Sequence, residues 1–386
     1  MSTFSCQVVQ VESVEHHPNA DRLSVVGLRN LGYTAISAKL DDGSHRYKPG
    51  DHVVYIPTAA VLPVPILKSM GFWNETTNIG TLAGKQGDRV KPLRLRGIYS
   101  EGILMPVRDR NGSLYITDDV GDSVKVFVGD NVAHYLGITK YEPPIPTHLS
   151  GEVANIGDHC VKYDFERLES VPDIFSDGEL IVATEKLHGT FCAIVYVPNL
   201  NHPEMFGTSG NIIVHSKGLG SQGLAFKNND ANAQNLYVRT LRHLLDHHEL
   251  ESLLAKIGNQ TGKRVAILGE IFGKGVQDLD YGTVKPEFRM FDMLIGNKFL
   301  NAAEIADAVP VNFPRVPTLY SGPFDLLALT EARDGKTTVG GTNIREGIVV
   351  KSVDGVAQHP AHGRKIAKMI SPAYLLRKND NATEYT

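Results

Sequence analysis

Residues 184–190 read TEKLHGT and close the run GELIVATEK, which begins at Gly178. The run is β-branched and apolar enough to form a strand, so Lys186 falls just past a strand with Gly189 three residues on. A glycine there lets backbone approach a phosphate closely, while the lysine amine is placed to attack it. Lys-x-x-Gly alone is a common turn with a surface lysine, so the reading depends on the rest of the chain. Further charged strand fragments follow in order: VHSKGLG with Ser216 and Lys217, LGEIFG with Glu270 and Gly273, and FRMFD with Phe288, Phe291 and Asp292. REGIVVK then brings Glu346 and Lys351, and RKIAK brings Lys365 and Lys368. Each fragment could be an ordinary strand with a charged solvent face. Together they form a series that a solvated surface does not explain.

Working outward, the first 140 residues read as short strands bounded by Gly, Pro, Asn and Asp, with no helix-period stretch among them. A small OB-like Greek-key barrel over residues 1–140 is expected. YEPPIPTHLSG holds Pro143, Pro144 and Pro146, which marks residues 141–150 as a stiff linker. The remainder, 151–386, mixes strands with one helical stripe from Asp230 to Ile257, carried by Leu236, Leu241, Leu244, Leu245, Leu253 and Leu254. Strands outnumber helices without βαβ alternation, so an α+β domain with antiparallel sheets is expected. GLGSQG, Gly218 to Gly223, matches a dinucleotide-loop pattern but opens no convincing apolar-periodic helix.

With 386 residues, 42% hydrophobic and 21% charged, the chain is long enough for two domains with real cores, which excludes a disordered or fibrous protein. The longest stretch free of charged residues and histidine, Val53 to Leu67, is proline-interrupted and too short to span a bilayer, and MSTFSCQVVQ lacks the features of a leader. Cys6, Cys160 and Cys192 are too scattered for a disulfide framework or zinc site, so a reducing, cytoplasmic setting is expected. Net charge is −4, which excludes a histone-like binder. Two basic strips nevertheless stand out, Lys85–Arg110 and Arg364–Lys378, and could hold a polyanion from a shared face. Histidines 16, 17, 243, 247 and 248 have no metal-motif spacing and read as solvated surface.

The series from Lys186 to Lys368 resembles the covalent nucleotidyltransferase superfamily of ATP-dependent ligases and capping enzymes. EKLHGT is similar to the nucleophile motif of RNA ligases, where DNA ligases and capping enzymes usually carry Asp in place of His188. HPNADRL, His17 to Leu23, resembles the signature of tRNA-binding OB modules. With GDHVVYIPTAAVLP and RLRGIYSEGILMP, the arrangement looks like the Deinococcus-type RNA ligases, which repair nicked duplexes. The superfamily's last motif is usually Lys-x-Lys, whereas here it reads Arg364-Lys-Ile-Ala-Lys368. Strand alternation puts Lys365 opposite Arg364 and Lys368, so Lys368 takes most weight. No accessory domain is expected after this motif.

The resemblance implies that Lys186 attacks the α-phosphate of ATP, that AMP passes to a 5′-phosphate, and that a 3′-OH displaces it. It implies catalytic roles for Lys186, Lys351 and Lys368, and nucleotide contacts from Glu185, His188, Gly189, Ser216, Lys217, Glu270, Phe288 and Lys365. Among these Glu270 would meet the ribose and Phe288 the adenine, and Glu346 would hold Mg²⁺ or Mn²⁺. Physical chemistry supports the division of labour. A free lysine is neutral about once in 2,500 at pH 7, and neighbouring cations with a bound metal raise that fraction. They also neutralise charge on the transferring phosphate. Arg94 and Arg96 are the candidate nucleic-acid contacts. The expected partner is RNA or an RNA-containing nicked duplex, handled by a monomer with no membrane role. The competing readings are a DNA ligase or capping-type nucleotidyltransferase, and a non-catalytic RNA-binding protein.

Overall fold

Period-two burial builds the sheets. Along the strand Gly189–Tyr196, the residues Cys192, Ile194 and Tyr196 pack into one buried cluster, whereas Ala193 and Val195 pack into another. Both faces of that strand are covered, so this sheet lies between two layers. The computed structural model describes residues 4–141 and 149–377. These fall into two compact units, the smaller taking the N-terminal residues together with Leu168–Pro172 and the larger taking the rest. Residues 142–148 of the proline-rich linker at 141–150 lie outside the described residues.

In the larger unit, a five-stranded antiparallel sheet runs Ile212–His215, Gly189–Tyr196, Val265–Phe272, Glu287–Ile295, Lys298–Phe299. A four-stranded antiparallel sheet runs Thr318–Pro323, Leu180–Lys186, Gly347–Ser352, Ile366–Ile370. Ala193, Val195, Ala266 and Leu268 of the first cluster with Val349 and Ile366 of the second. The outer face of the five-stranded sheet is covered by helices Leu236–His247 and Leu250–Thr261. The single leucine stripe read from the sequence is thus two helices, broken where Glu249 takes a left-handed φ of 47°. The glycine-rich GLGSQG forms a short helix, Lys217–Ser221, capped by the Ser216 hydroxyl. No helix among the described residues is long and apolar enough to cross a membrane.

The smaller unit holds a five-stranded antiparallel sheet in the order Ile103–Pro106, His52–Ile56, Gln7–His16, Leu23–Leu28, Leu31–Ala38. Its edges meet only at isolated bonds: Glu101 N–H donates to the Thr34 carbonyl at 2.9 Å and Ile36 N–H to Ser100 Oγ at 2.9 Å. The sheet is therefore a half-barrel. Contrary to the all-strand reading, Val64–Ser69 is a short helix, started by a proline in its first turn.

His17 also departs from expectation. It is 4% exposed, and its ring takes the Asn19 N–H at Nδ1 (3.1 Å) while Nε2 reaches the Leu95 carbonyl (3.0 Å). Asn19 Nδ2 donates to the Arg96 carbonyl at 2.9 Å. HPNADRL is thus a buttress for the hairpin Leu93–Leu95/Ile98–Ser100, whose turn puts both Arg96 and Gly97 at positive φ. His17→Ala is expected to destabilise this unit by about 1–3 kcal/mol, because buried partners are left unpaired. Urea unfolding of the full chain, followed with proteolysis at the hairpin, measures the effect.

Candidate active site

Strand register delivers the first contact. Lys186 is paired with Gly347, so Glu346 lies directly beyond the end of the lysine's own strand. Lys186 Nζ donates to Glu346 Oε1 at 2.5 Å, with 22% of the lysine side chain exposed and 6% of the glutamate. Immediately past Lys186 the chain turns through Leu187 and His188 into the five-stranded sheet. Gly189 opens that strand under the Ile271 carbonyl, where an added Cβ would come within 2.1 Å of the oxygen. No larger residue fits without moving the sheet.

Lys186, Lys217, Glu270, Lys351 and Lys368 line one cleft, together with Tyr163, Asp164, Phe165, Phe191 and Phe291. Four lysines in one concavity repel one another unless anions intervene. Asp164 accepts from Lys217 at 2.8 Å, and Lys351 Nζ donates to the Phe291 carbonyl at 2.6 Å beside Asp292 at 3.2 Å. Asp292 also accepts from Tyr163 OH at 2.9 Å and Arg364 at 2.8 Å. Burial lowers the pKa of Lys351. It lowers Lys368 to about 8, helped by Lys217 and Lys186. Burial pushes the Glu270 carboxyl up to about 8, although Lys186 pulls the other way. The cleft is therefore a cationic site that accepts a polyanion and carries a lysine placed as nucleophile.

A divalent metal fits the donor set. Glu346 Oε2 is buried and has no hydrogen-bond partner among the described residues, leaving a hard anionic oxygen of the kind Mg²⁺ or Mn²⁺ takes.

Several expected residues do not face the cleft. Phe288 is 6% exposed and packs in the core cluster beside the helices, its ring over Gly269, where an added Cβ would meet it at 2.3 Å. A bulge explains the difference: Leu268 pairs with Asp292 and Gly269 with Met290, so Phe291 is the extra residue and lines the cleft instead. His188 is 3% exposed, with Asp278 Oδ1 at 2.5 Å from Nε2 and the Tyr374 hydroxyl at 2.7 Å from Nδ1. Arg377 holds the other Asp278 oxygen at 2.9 Å, so the histidine ties the lysine turn to the helix Pro372–Leu375. Glu185 borders the cleft, but its carboxylate is taken by the Thr337 hydroxyl and by the Thr338 N–H and hydroxyl. Ser216 caps its helix. Lys365 pairs with Glu179 at 2.5 Å, away from the cleft, whereas Lys368 lines it. Of the C-terminal basic strip, Arg364, Lys365 and Arg377 pair internally with Asp292, Glu179 and Asp278, Lys368 lines the cleft, and Lys378 lies outside the described residues. Arg94 and Arg96 are exposed on the other unit's hairpin.

The sequence reading assigned no role to Tyr163, Asp164 or Arg364. The only signal for Tyr163 and Asp164 was KYDF, a short aromatic and acidic run of a commonplace kind, whereas Arg364 stood out only as part of the last motif and its basic strip.

Residues 179–370 match the RNA ligase family model. The chain carries an RNA ligase domain. Among curated proteins, none matches the sequence. Solved structures similar to the chain include RNA ligases of Naegleria gruberi. A point mutant with ATP and Mn has a TM-score of 0.71 at 23% identity, covering 96% of this chain and 98% of that one. Another mutant with AMP and Mn gives 0.71 and 23%, covering 96% and 97%. The protein with PPi gives 0.69 and 22%, covering 97% and 98%. The ligase domain shares with them the mixed α/β fold with antiparallel sheets.

Glu270 makes the ligand-free ligase domain pH-sensitive. Its carboxyl titrates near 8 when folded but near the ordinary value of 4.5 when unfolded. Between those values the folded state binds the extra proton, so stability falls as pH rises. Lys368 acts later, above about 8, in the opposite direction. Glu270→Gln is therefore expected to flatten the loss of unfolding free energy between pH 5 and 8, read from urea titrations at each pH.

Proposed function

We propose that the protein is an ATP-dependent RNA ligase that joins 3′-OH and 5′-phosphate ends through a lysyl-AMP on Lys186 and an adenylylated RNA end. The observation that carries this reading is Lys186 on Glu346 at 2.5 Å, inside a cleft that also holds Lys217, Lys351 and Lys368. The ligase family match and the ATP, AMP and Mn of the similar structures support it.

In this reading the Lys186 amine attacks the α-phosphorus of ATP and the bond to pyrophosphate breaks. Glu346 orients the amine, and its second carboxylate oxygen would hold the metal, which supplies charge neutralisation at the phosphates. Lys351 and Lys368 face the negative charge that develops on the transferring group and stay in place for the later steps, in which a 5′-phosphate oxygen displaces Lys186 and a 3′-OH displaces AMP. Tyr163, Phe165, Phe191 and Phe291 offer apolar faces for the base. Glu270 is the polar group for the ribose. Glu185 at the border of the cleft and His188, Ser216 and Lys365 outside it support its walls, and Phe288 packs beneath it.

The N-terminal half-barrel is read as an OB-like RNA clamp of the Deinococcus-type ligases, with nicked RNA-containing duplexes as substrates and the protein acting as a cytoplasmic monomer. Arg94 and Arg96 project from a hairpin that His17 and Asn19 hold rigid, a suitable placement for phosphate contacts.

Two experiments test these roles. Lys186→Ala is expected to abolish covalent labelling by α-labelled ATP, with GTP giving none in the wild type. Labelling of the variant at the wild-type level contradicts the assignment, and labelling by GTP instead of ATP points to capping chemistry. Paired reversal, Arg94→Glu with Arg96→Glu, is expected to weaken RNA binding and to reduce the log–log salt slope by about two. Sealing is expected to fall more than self-labelling, and an unchanged slope returns the two arginines to ordinary solvated surface.

A further inference from the structure

The strands that carry Lys351 and Lys368 are joined through a small hairpin, Gln358–His359 paired with Gly363–Arg364. Its turn is His359-Pro-Ala-His362-Gly363, with Gly363 at φ 74°. That geometry folds the two histidines onto one side, their rings stacked at 4.6 Å between centroids and 13° between planes. Asp173, from a distant part of the same unit, meets both. Its Oδ1 lies 2.8 Å from His362 Nε2 and its Oδ2 3.9 Å from His359 Nε2. One ligand atom from each of the three residues lies within 4.8 Å of the others. The histidine side chains are mostly covered, at 19% and 26% exposure, whereas the carboxylate is open at 68%.

We propose that Asp173, His359 and His362 form a binding site for a divalent d-block cation of the zinc type, separate from the nucleotide cleft. Two imidazoles and one carboxylate are the donor set such a cation takes, with solvent free to complete a tetrahedron on the exposed side. Mg²⁺ and Ca²⁺ prefer all-oxygen sites, so Mg²⁺ at the nucleotide cleft is not a competitor here. The adjustments required are small. A cation between His362 Nε2 and Asp173 replaces the proton they now share, and the His359 ring gives up a 3.3 Å bond from the Ala361 N–H. Occupancy ties the hairpin to the Asp173 segment. The same hairpin carries Arg364, which with Lys351 holds Asp292, so the site braces the wall of the cleft without touching the nucleotide.

The test is calorimetry of ZnCl₂ into tag-free, chelator-treated full-length protein, with Co²⁺ absorbance reporting coordination. One equivalent of zinc is expected, undisplaced by excess Mg²⁺, together with a raised melting temperature. The double variant His359→Ala with His362→Ala is expected to lose affinity by at least about 100-fold, beyond what loss of a supporting group costs. Asp173→Asn, a milder change, is expected to lower affinity and to keep the apo melting temperature. The double variant His243→Ala with His247→Ala removes another exposed histidine pair and is expected to bind as the wild type does. Absence of saturable zinc binding overturns the proposal. So does binding that survives in the His359/His362 variant or disappears in the His243/His247 variant.

Discussion

The contact between Lys186 and Glu346 organises the larger unit. A lysine whose amine is to attack a phosphate needs a fixed position and a cationic neighbourhood, and the two demands conflict, because like charges disperse a flexible side chain. The sheet resolves the conflict by register. Pairing Lys186 with Gly347 places the glutamate where it holds the amine. The other cations sit on separate strands, Lys351 anchored to Asp292 and the Phe291 carbonyl, Lys217 to Asp164. The low-dielectric surroundings show in the shifts of Glu270 and Lys368 toward their neutral forms. Charge is thus concentrated at the cleft with Lys186, Lys217 and Lys351 each held by an acid, and an incoming polyphosphate meets donors already positioned.

The sequence carried much of this because the chemistry-bearing fragments sit on strands whose alternation is readable. Alternation sets Lys365 and Lys368 on opposite faces, and the excess of strands without βαβ order points to the antiparallel α+β class. That Phe291 lines the cleft while Phe288 packs in the core was not legible, because a single inserted residue, Phe291, resets the phase of the strand and a bulge leaves no compositional mark. His188 occupies the motif position, but its ring turns inward to Asp278 and Tyr374, partners distant in sequence. Side-chain direction after a turn is a tertiary property. The two arginines of the C-terminal basic strip turn inward for a related reason: each meets a buried acid on another element.

His17 makes the same point for the smaller unit. A histidine beside another histidine in a polar loop reads as solvated, yet its two ring nitrogens fix a loop and a hairpin at once. The HPNADRL motif therefore acts through architecture: it shapes the hairpin that displays Arg94 and Arg96 rather than presenting its own side chains. The glycine of the lysine motif is architectural in the same sense, since Gly189 is fixed by the carbonyl of Ile271. Motif residues here divide into those that face the cleft and those that fix the backbone facing it.

The most direct measurement is to incubate the wild-type protein with ATP and Mg²⁺, digest it under conditions that spare the phosphoramidate bond, and locate the AMP by peptide mass spectrometry. The account predicts one adenylylated site, on the peptide containing Lys186. AMP found on Lys217, Lys351 or Lys368 instead, or no covalent AMP on any peptide, would contradict it.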